Sequence, residues 1–311
     1  MRRFFYIKNI MIKPTLLVLA AGMGSRYGGL KQIDRLGPNG ETIIDYSIYD
    51  AVRAGFGKVV MVIRKSIEDD FKQVFFKKYS GKIDIEYVLQ EIEFVPQGVT
   101  YNPERVKPWG TAHAVLMAAG VINEPFCVIN GDDFYGADAF RQMATCLMQL
   151  DNDSTSYCMV GYQLARTLSD YGFVARGVCE TGSDGTLLRV TECTQIKRIG
   201  SVICYRDAQE VNHTFPDEQT VSMNFWGFTP TYFKELKVSF EKFIRANGDN
   251  LKSELYIPTV LTELINDKKA SVKVLNSTAE WFGVTYQEDR SFVVDRLKKL
   301  TAEGEYPSPL W

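Results

Sequence analysis

The stretch LLVLAAGMGSRYGGLK, at Leu16–Lys31, decides the fold that we predict. It opens with five apolar residues and continues into four glycines, with Arg26 among them and Lys31 just after them. A short apolar run bounded by glycine is typical of a buried strand that runs into a loop. The backbone N–H groups of a glycine-rich loop form a concavity for anions, and the two cations can neutralise phosphate oxygens. We therefore predict a polyphosphate-binding loop, with a plain turn after a strand as the alternative.

The glycine spacing in this loop differs from two familiar phosphate loops. The pattern Gly22-x-Gly24-x3-Gly28 is one residue longer than the dinucleotide fingerprint. It is not a P-loop either, because no Gly-Lys-Ser/Thr follows. A dinucleotide-dependent oxidoreductase is therefore a distant alternative.

The pattern after the loop predicts an α/β fold. Apolar residues recur at near-helical spacing over residues 43–54, and the apolar run at 58–63 indicates a second buried strand. A strand, a loop, a helix and a strand in this order form a βαβ unit with a parallel sheet. We therefore predict a three-layer α/β/α fold with a mostly parallel central sheet, which is a Rossmann-like architecture.

The same periodicities continue along the chain. They predict helices at 67–79, 110–121, 137–150, 231–246, 253–266 and 292–300. They predict strands at 83–89, 125–130, 156–163, 172–178, 186–190, 221–229 and 271–275. The short strands after residue 165, with a hairpin turn at 182–185, indicate a small antiparallel insertion. The long loop at 90–108 predicts a lid or binding loop.

Composition narrows the class of protein. The net charge of −2 argues against a nucleic-acid surface, and no apolar run is long enough to span a membrane. The six cysteines contain no Cys-x-x-Cys pair, which favours reduced thiols in a cytoplasmic protein. Only two histidines occur, which argues against a zinc site.

Two adjacent carboxylates, Asp132 and Asp133, directly follow the strand predicted at 125–130. Ligands of α/β sheets bind beyond the carboxyl ends of the strands, so we expect this acidic turn and the glycine-rich loop at one edge. Mg²⁺ is typically held by one or two carboxylates together with substrate phosphates. The pair Asp132 and Asp133 therefore indicates a Mg²⁺ site, and an Asx turn or a helix cap is an equally supported alternative at this point.

The run LAAGMGSRYGGLKQ resembles the N-terminal signature of the nucleotidyltransferases that make nucleotide sugars and related activated metabolites. The pair Lys31-Gln32 is similar to the cytidylyltransferase and molybdenum-cofactor branches, although Leu30 stands where those branches often have proline. The segment VINGDDFYG at 128–136 resembles the family's Gly-Asp motif, whose aspartate binds the metal. The resemblance implies a GT-A-like form of the fold, with Arg26 and Lys31 as catalytic cations and Asp132 as the metal ligand.

The resemblance also implies two sets of binding residues. The Gly-Thr-Ala stretch at 110–112 and a glutamine at a strand end contact the nucleotide in the family, and Trp109 either stacks on the base or packs in the core. The nucleotide set is Ala20, Ala21, Gly22, Gly24, Gln90, Gly110 and Thr111. Three downstream segments resemble the Tyr-Gly-Val, Glu-Lys and Asn-x-Gly motifs of the acceptor pocket. The acceptor set is Tyr171, Gly172, Glu192 and Asn224, with Cys193 in place of the motif's lysine.

One position departs from the family pattern. Gly283, in the segment at 280–284, stands where the sugar branch has an aspartate that serves as a second metal ligand. Asp289 or another carboxylate replaces it, or one metal suffices, or the activity has been lost. The sequence leaves these three alternatives open.

The reaction that follows is nucleotidyl transfer. We expect a nucleoside triphosphate to give its nucleoside monophosphate to a phosphorylated acceptor, a sugar 1-phosphate, with release of pyrophosphate. A metal-dependent GT-A glycosyltransferase and a catalytically silent nucleotide-sensing subunit are the alternatives. We expect an N-terminal tail at 1–12, with Met11 as a candidate start, then a transferase domain at 13–290 and a C-terminal helix and tail at 291–311. The base, the acceptor and the presence of a homo-oligomer stay open.

Overall fold

The structure is a computed structural model that describes residues 12–21, 35–207 and 210–311. Its strands are β1 Thr15–Leu19, β2 Lys58–Ile63, β3 Asp84–Leu89, β4 Phe126–Asn130, β5 Asp133–Phe134, β6 Ser156–Gln163, β7 Val174–Thr181, β8 Leu187–Ile199, β9 Val202–Arg206, β10 Asn212–Phe215, β11 Thr220–Phe228, β12 Ser271–Asn276 and β13 Phe282–Gly283. Its α-helices are α1 Ile43–Ala54, α2 Glu68–Phe71, α3 Lys77–Tyr79, α4 Thr111–Leu116, α5 Ala137–Leu147, α6 Thr231–Asn247, α7 Ile257–Asn266 and α8 Asp289–Ala302. A π-helical turn, Lys72–Phe76, joins α2 to α3.

The central sheet is built on four parallel strands in the order β3-β2-β1-β4. Strand β11 then runs antiparallel to β4 and carries β6 on its other side, and β12 pairs parallel with β6. Helices cover both faces of this sheet, as parallel strands joined by crossover helices require. The predicted α/β fold with a mostly parallel central sheet is confirmed.

The alternation of side chains along β1 divides the core into two layers. Leu16 and Val18 pack into the cluster that α1 and α5 cover, whereas Leu17 packs into the cluster that α4, α6 and α7 cover. All three side chains are fully buried. A strand buried on both faces needs apolar residues at every position, which is why the opening run of the glycine-rich stretch has no polar member.

Helix α1 has the boundaries that its sequence predicts. The Thr42 hydroxyl and the Thr42 backbone N–H both donate to the Asp45 carboxylate, and Gly55 ends the helix at φ 96°. A carboxylate in the first turn satisfies N–H groups that the helix itself leaves unpaired, and only glycine takes such a φ without strain. The helix therefore begins and ends at residues whose local hydrogen bonds and backbone conformation favour a helix terminus.

The antiparallel part is larger than the sequence predicts. The hairpin between β7 and β8 turns at residues 182–185 as predicted, but β8 continues to Ile199 and pairs with β9, which in turn pairs with β10. Strands β9 and β10 were not predicted. Their side chains are mostly exposed and the strands are short, so they lack the apolar period that identified the others. A further two-stranded sheet, β5 with β13, lies apart from the main sheet.

The C-terminal segment packs onto the main body of the protein. Val293 and Leu297 of α8 share a buried cluster with Ile43 and Phe134. The Tyr306 hydroxyl donates to the buried Asp50 carboxylate over 2.7 Å. No helix in residues 12–21, 35–207 and 210–311 is long and apolar enough to cross a membrane.

Replacing a core leucine of α8 tests this packing. We expect Leu297→Ala to lower the free energy of unfolding by about 2 to 5 kcal/mol, because it removes a fully buried side chain and leaves a cavity. Urea unfolding followed by circular dichroism measures this change. The matched control is Leu188→Ala, whose leucine is half exposed and should cost less than about 1 kcal/mol. Equal losses in the two variants would contradict the buried contact of α8.

Candidate active site

The ends of β1, β3 and β4 meet at one edge of the sheet. The Ala20 N–H donates to Val62 O over 2.9 Å, the Gly131 N–H to Leu19 O over 3.0 Å, and the Gln90 N–H to Ile63 O over 2.9 Å. Each bond extends the parallel ladder just beyond its strand. The residues that directly follow these strands at this edge are therefore the start of the glycine-rich loop, the acidic turn and Gln90.

Part of the predicted nucleotide site lies outside the described residues. Gly22, Gly24, Arg26 and Lys31 belong to the undescribed segment 22–34, so their predicted roles stay predictions. The two residues that precede them are described: Ala20 and Ala21 are buried at the end of β1.

Gln90 is fixed in place by its side-chain amide. Its Nε2 donates to Gly110 O over 3.1 Å and to His113 Nδ1 over 3.2 Å, and His113 Nε2 donates to Phe94 O over 2.8 Å. Burial lowers the pKa of His113 to about 4, so the ring is neutral at pH 7. A neutral ring that accepts at Nδ1 carries its proton on Nε2, which agrees with the bond to Phe94. The buried histidine thereby links the predicted base-binding residue to the long loop at 90–108.

The start of α4 is tightly packed rather than open. Gly110 has φ 100°, and a Cβ there would lie 2.4 Å from Leu255 O, so no side chain fits. Thr111 Oγ1 accepts from the Ile257 N–H over 3.2 Å. Trp109 is fully buried, and its Nε1 donates to Ile92 O over 2.8 Å. Of the two roles considered for Trp109, the structure shows core packing.

The acidic turn is held by a chain of amide side chains. Asn130 Nδ2 donates to Asp133 Oδ2 over 2.9 Å, and Asn224 Nδ2 donates to Asn130 Oδ1 over 2.7 Å. Trp226 Nε1 in turn donates to Asn224 Oδ1 over 2.9 Å. Asn224 has φ 65° at a register shift in β11, which is a conformation that asparagine tolerates better than most residues. The predicted acceptor residue Asn224 therefore positions Asp133 through Asn130.

Tyr135, two residues after Asp133, holds the acidic turn from its buried side. The fully buried Tyr135 hydroxyl accepts from the Asn130 N–H over 3.0 Å and donates to Met223 O over 2.9 Å. It also lies 3.3 Å from Asp133 Oδ2. The Asn130 amide and the Tyr135 hydroxyl thus contact one carboxylate oxygen of Asp133, and both Asp132 and Asp133 are partly exposed.

Gly283 faces Asp133 directly. Strand β13 pairs Gly283 with Asp133 of β5, and a Cβ on Gly283 would lie 2.7 Å from Asp133 Oδ1. The carboxylate of Asp133 therefore fills the space that a side chain at position 283 would occupy. Asp133 is thus the carboxylate that lies against position 283, and the three alternatives for the missing second metal ligand stay open.

The two adjacent carboxylates have the chemistry of a Mg²⁺ site. Burial and the neighbouring negative charge of Asp132 raise the pKa of Asp133 to about 7, so a cation at this turn would be favourable. Within the described ranges, no group of three or more His, Cys, Asp or Glu side chains could hold a metal. Magnesium fits two carboxylates because substrate phosphates and water complete its six ligands. Asp132 and Asp133 thus form a fitting oxygen-donor set.

A cleft of about 260 Å³ opens beside this turn. Asp132 and Asp133 lie on one side, and Glu192 of β8 and Arg176 of β7 lie on another. Two predicted residues, the metal ligand Asp132 and the acceptor residue Glu192, are therefore brought together. Asn224 contacts the cleft residue Asn130.

Tyr171 and Gly172 are placed elsewhere. Tyr171 is about half exposed, and neither residue is among those that line the cleft. A Cβ on Gly172 would lie 2.5 Å from the Tyr286 hydroxyl, which donates to Phe173 O over 2.6 Å. Close packing against Tyr286 explains the glycine. The acceptor role of this pair stays a prediction.

Arg176 is a site residue that the sequence analysis missed. Its side chain is 8 % exposed, and its guanidinium lies 4.8 Å from the centre of the Trp281 ring. Burial lowers the pKa of Arg176 to about 10, against the opposing effect of nearby carboxylates, so the group is charged at neutral pH. The sequence feature that could have pointed to this residue is a single arginine among the apolar residues and the glycine of segment 174–178.

The geometry defines a class of protein: an α/β protein with an acidic turn and a mixed-charge cleft where the glycine-rich strand ends. Residues 16–284 match the family described as Nucleotidyl transferase. The chain belongs to this nucleotidyl transferase family, and the prediction of a nucleotidyltransferase enzyme is confirmed at that level. No curated protein matches the chain.

Solved structures share the fold at low sequence identity. The inositol-1-phosphate CTP transferase from T. maritima is 16 % identical, with a TM-score of 0.61 over 93 % of this chain and 96 % of that one. A UDP-glucose pyrophosphorylase complexed with UDP-glucose is 18 % identical, with a TM-score of 0.56 over 93 % and 99 %. A UTP-bound UGPase from Acinetobacter baumannii is 13 % identical, with a TM-score of 0.57 over 92 % and 93 %. These likenesses confirm the fold.

The buried histidine predicts a pH dependence of stability. The folded-state pKa of His113 lies below its ordinary value of 6.5, so the unfolded chain binds the proton more tightly and stability falls as the pH drops from 6.5 to 4. We expect this group to remove on the order of 3 kcal/mol over that window, and His113→Asn to lack that loss. Urea unfolding at a series of pH values measures both profiles. The control Leu188→Ala, which removes no titratable group, should keep the wild-type slope.

The close contact between Gly283 and Asp133 predicts how a methyl group added at position 283 would affect the Asp133 carboxylate. We expect Gly283→Ala to fold but to displace the Asp133 carboxylate, because the new Cβ would lie 2.7 Å from its oxygen. Affinity for Mn²⁺, measured by electron paramagnetic resonance, should fall about ten-fold or more. The matched control is Gly120→Ala, where nothing lies within 4 Å of the added Cβ. Unchanged Mn²⁺ affinity in the folded Gly283→Ala protein would contradict this arrangement.

Proposed function

We propose that the protein transfers a nucleoside monophosphate from a nucleoside triphosphate to a phosphorylated acceptor, a sugar 1-phosphate, giving a nucleotide sugar and pyrophosphate. The observation that carries the proposal is the cleft that joins Asp132 and Asp133 to Glu192 and Arg176. It lies at the sheet edge where the glycine-rich loop leaves β1, so a triphosphate on the loop and an acceptor in the cleft would be neighbours.

The nucleotide side is assigned to the sheet edge and the start of α4. Ala20, Ala21, Gly22 and Gly24 would surround the triphosphate, and Gln90, Gly110 and Thr111 would contact the base and ribose. The immobilised Gln90 amide supports this, since a preorganised polar group loses little freedom on binding. Tyr171, Gly172, Glu192 and Asn224 are the proposed acceptor residues, of which Glu192 has the most direct support.

The reaction needs charge neutralisation more than proton transfer. A phosphate oxygen of the acceptor forms a bond to the α-phosphorus, and the bond from the α-phosphorus to the oxygen that bridges it to the β-phosphorus breaks, releasing pyrophosphate. The attacking oxygen is already anionic, so no Ser, Cys or His nucleophile is required. Arg26 would neutralise the leaving pyrophosphate and Lys31 the α-phosphate, and catalysis would consist of positioning and electrostatic stabilisation.

Asp132 and Asp133 are the residues that would hold Mg²⁺. When bound, the ion would neutralise the charge on the phosphate oxygens during transfer. The chain's own contribution is the fixed placement of the Asp133 carboxylate, to which Asn130 and Tyr135 hydrogen-bond directly and Asn224 contributes through Asn130.

The proposal also covers the domain boundaries, the cellular location and the ligands of the protein. We propose residues 13–290 as the transferase domain, with a tail at 1–12 and a C-terminal helix and tail at 291–311. The six cysteines are free in the structure, which agrees with a reducing cytoplasmic location. The proposed ligands are a nucleoside triphosphate and a phosphorylated small molecule, without a nucleic acid or a membrane.

Two rival functions give different products. A metal-dependent glycosyltransferase would use the same acidic turn but release a nucleoside diphosphate. A silent nucleotide-sensing subunit would bind the triphosphate without consuming it. The fit of Asp133 against Gly283 weighs against the silent subunit, because a carboxylate is kept where the pattern at position 283 had lost one.

Removing the metal-ligand charge tests the proposal. We expect pyrophosphate release when the four nucleoside triphosphates are screened with a panel of sugar phosphates. Asp132→Asn should lower the turnover number about 100-fold or more and weaken Mn²⁺ binding, because one of two cation-binding charges is lost. The control Asp267→Asn changes an exposed aspartate directly after the C-terminal end of α7 and should behave as wild type. Wild-type turnover in Asp132→Asn, or release of a nucleoside diphosphate in place of pyrophosphate, would overturn the assignment.

A further inference from the structure

Arg105 is a buried cation in the long loop at 90–108. Its side chain is 4 % exposed, whereas its neighbours Glu104, Val106 and Lys107 are exposed. In the described part of the chain no carboxylate oxygen lies within 4.0 Å of its guanidinium nitrogens, and the nearby Glu254 pairs with Lys107. A buried charge is costly unless other polar groups compensate for it, so the surroundings of this side chain must supply them.

Four backbone carbonyls surround the guanidinium. Within the loop, Nε of Arg105 donates to Lys107 O over 2.7 Å, and Nη2 donates to Pro108 O over 3.0 Å. Between α6 and α7, Asn250 O accepts from Nη1 over 2.6 Å, and Ser253 O accepts from Nη2 over 2.5 Å. A guanidinium has five N–H groups, and four of them are therefore used. One side chain thus joins two segments of backbone that contain no helix or strand.

The guanidinium of Arg105 also packs on the ring of Trp109, at the start of α4. Its central carbon lies 3.6 Å from the ring centre, which is a cation–π contact. Trp109 O accepts from the Leu255 N–H over 2.8 Å, and Leu255 O accepts from the Ala112 N–H over 3.0 Å. These two bonds lie on either side of residues 110–111. The segment that the guanidinium holds is therefore the one that holds the start of α4.

Gly110 leaves the backbone at this point little freedom to move. It takes φ 100°, and a Cβ there would lie 2.4 Å from Leu255 O. Its own carbonyl accepts from Gln90 Nε2 over 3.1 Å. The path of residues 109–112 is therefore held by Gln90 as well as by the contacts of Arg105.

These contacts bear on the two roles predicted for the loop, a lid or a binding loop. A lid releases its contacts when it opens, but opening this loop would break four charge-assisted hydrogen bonds together. We infer that Arg105 is a positioning residue, which holds loop 90–108 in one place and sets the backbone of Gly110 and Thr111 for the nucleotide. This inference rests on the proposed function, in which those two residues contact the base and the ribose.

Hydrogen exchange of the full-length chain without ligands, followed by mass spectrometry, tests the positioning role. We expect peptides that contain residues 109–112 and 248–256 to exchange about ten-fold faster or more in Arg105→Met, which keeps apolar packing on Trp109 but removes the four donors. Arg105→Lys should lie between this variant and wild type, because lysine keeps the charge but not the fork. The matched control Arg245→Met removes an exposed arginine of α6 and should exchange as wild type in both segments.

Nucleotide affinity distinguishes positioning from a general loss of stability. In the pyrophosphate assay, Arg105→Met should raise the KM of the nucleoside triphosphate about ten-fold or more and leave the KM of the acceptor unchanged, because a small displacement of the contacting backbone weakens binding. Arg105→Lys should restore part of the affinity. Ile203→Ala removes a fully buried side chain of β9 and should lower stability without changing either KM. If circular dichroism shows that Arg105→Met does not fold, Arg105→Lys carries the comparison.

The outcomes separate this inference from the proposed reaction. Wild-type exchange of residues 109–112 in folded Arg105→Met, or an unchanged KM of the nucleoside triphosphate, would overturn the inference and leave the reaction standing. If no substrate pair releases pyrophosphate, equilibrium dialysis of the nucleoside triphosphates replaces the KM. Binding that weakens in Arg105→Met would then remove the reaction but keep the positioning role. A wild-type protein that binds none of the four nucleoside triphosphates would overturn both.

Discussion

The hydrogen bonds of the Asn130 side chain connect the parallel and the antiparallel parts of the central sheet. The amide joins Asp133 in the acidic turn to Asn224 in β11, and so ties the parallel strand β4 to its antiparallel neighbour. Asn224 reaches Asn130 because the register of β11 shifts there and its backbone takes φ 65°. The acidic turn and the cleft beside it are therefore held by one set of hydrogen bonds, and fixed polar groups of this kind are what electrostatic catalysis requires.

The fold could be predicted because its core strands follow simple rules. The uninterrupted apolar runs at 16–20 and 58–63 indicated buried strands, and the near-helical spacing over residues 43–54 indicated α1. The strands β9 and β10 could not be predicted, because an exposed antiparallel arm needs hydrogen bonds more than it needs an apolar pattern. Its strands pair with their neighbours in the sequence, β8 with β9 and β9 with β10, through backbone hydrogen bonds, which apolar periodicity does not record.

The candidate site was predicted where a short motif carries the chemistry. Asp132 at a strand end and Glu192 were found from the sequence and lie on one cleft. Arg176 was missed because its apolar and glycine context is only a weak signal, and its place in the cleft depends on the pairing of β7 with β8 and on the packing of Trp281. Likewise, Gln90 was predicted by its position, but its partner His113 was not, since that contact joins residues 23 positions apart.

The contact between Gly283 and Asp133 limits which single substitutions this part of the chain can accept. A Cβ at position 283 would lie 2.7 Å from Asp133 Oδ1, so a larger residue at 283 needs the Asp133 carboxylate to move or to be replaced by a smaller side chain. We therefore expect the effects of substitutions at these two positions on stability to be non-additive, because both side chains compete for the same space.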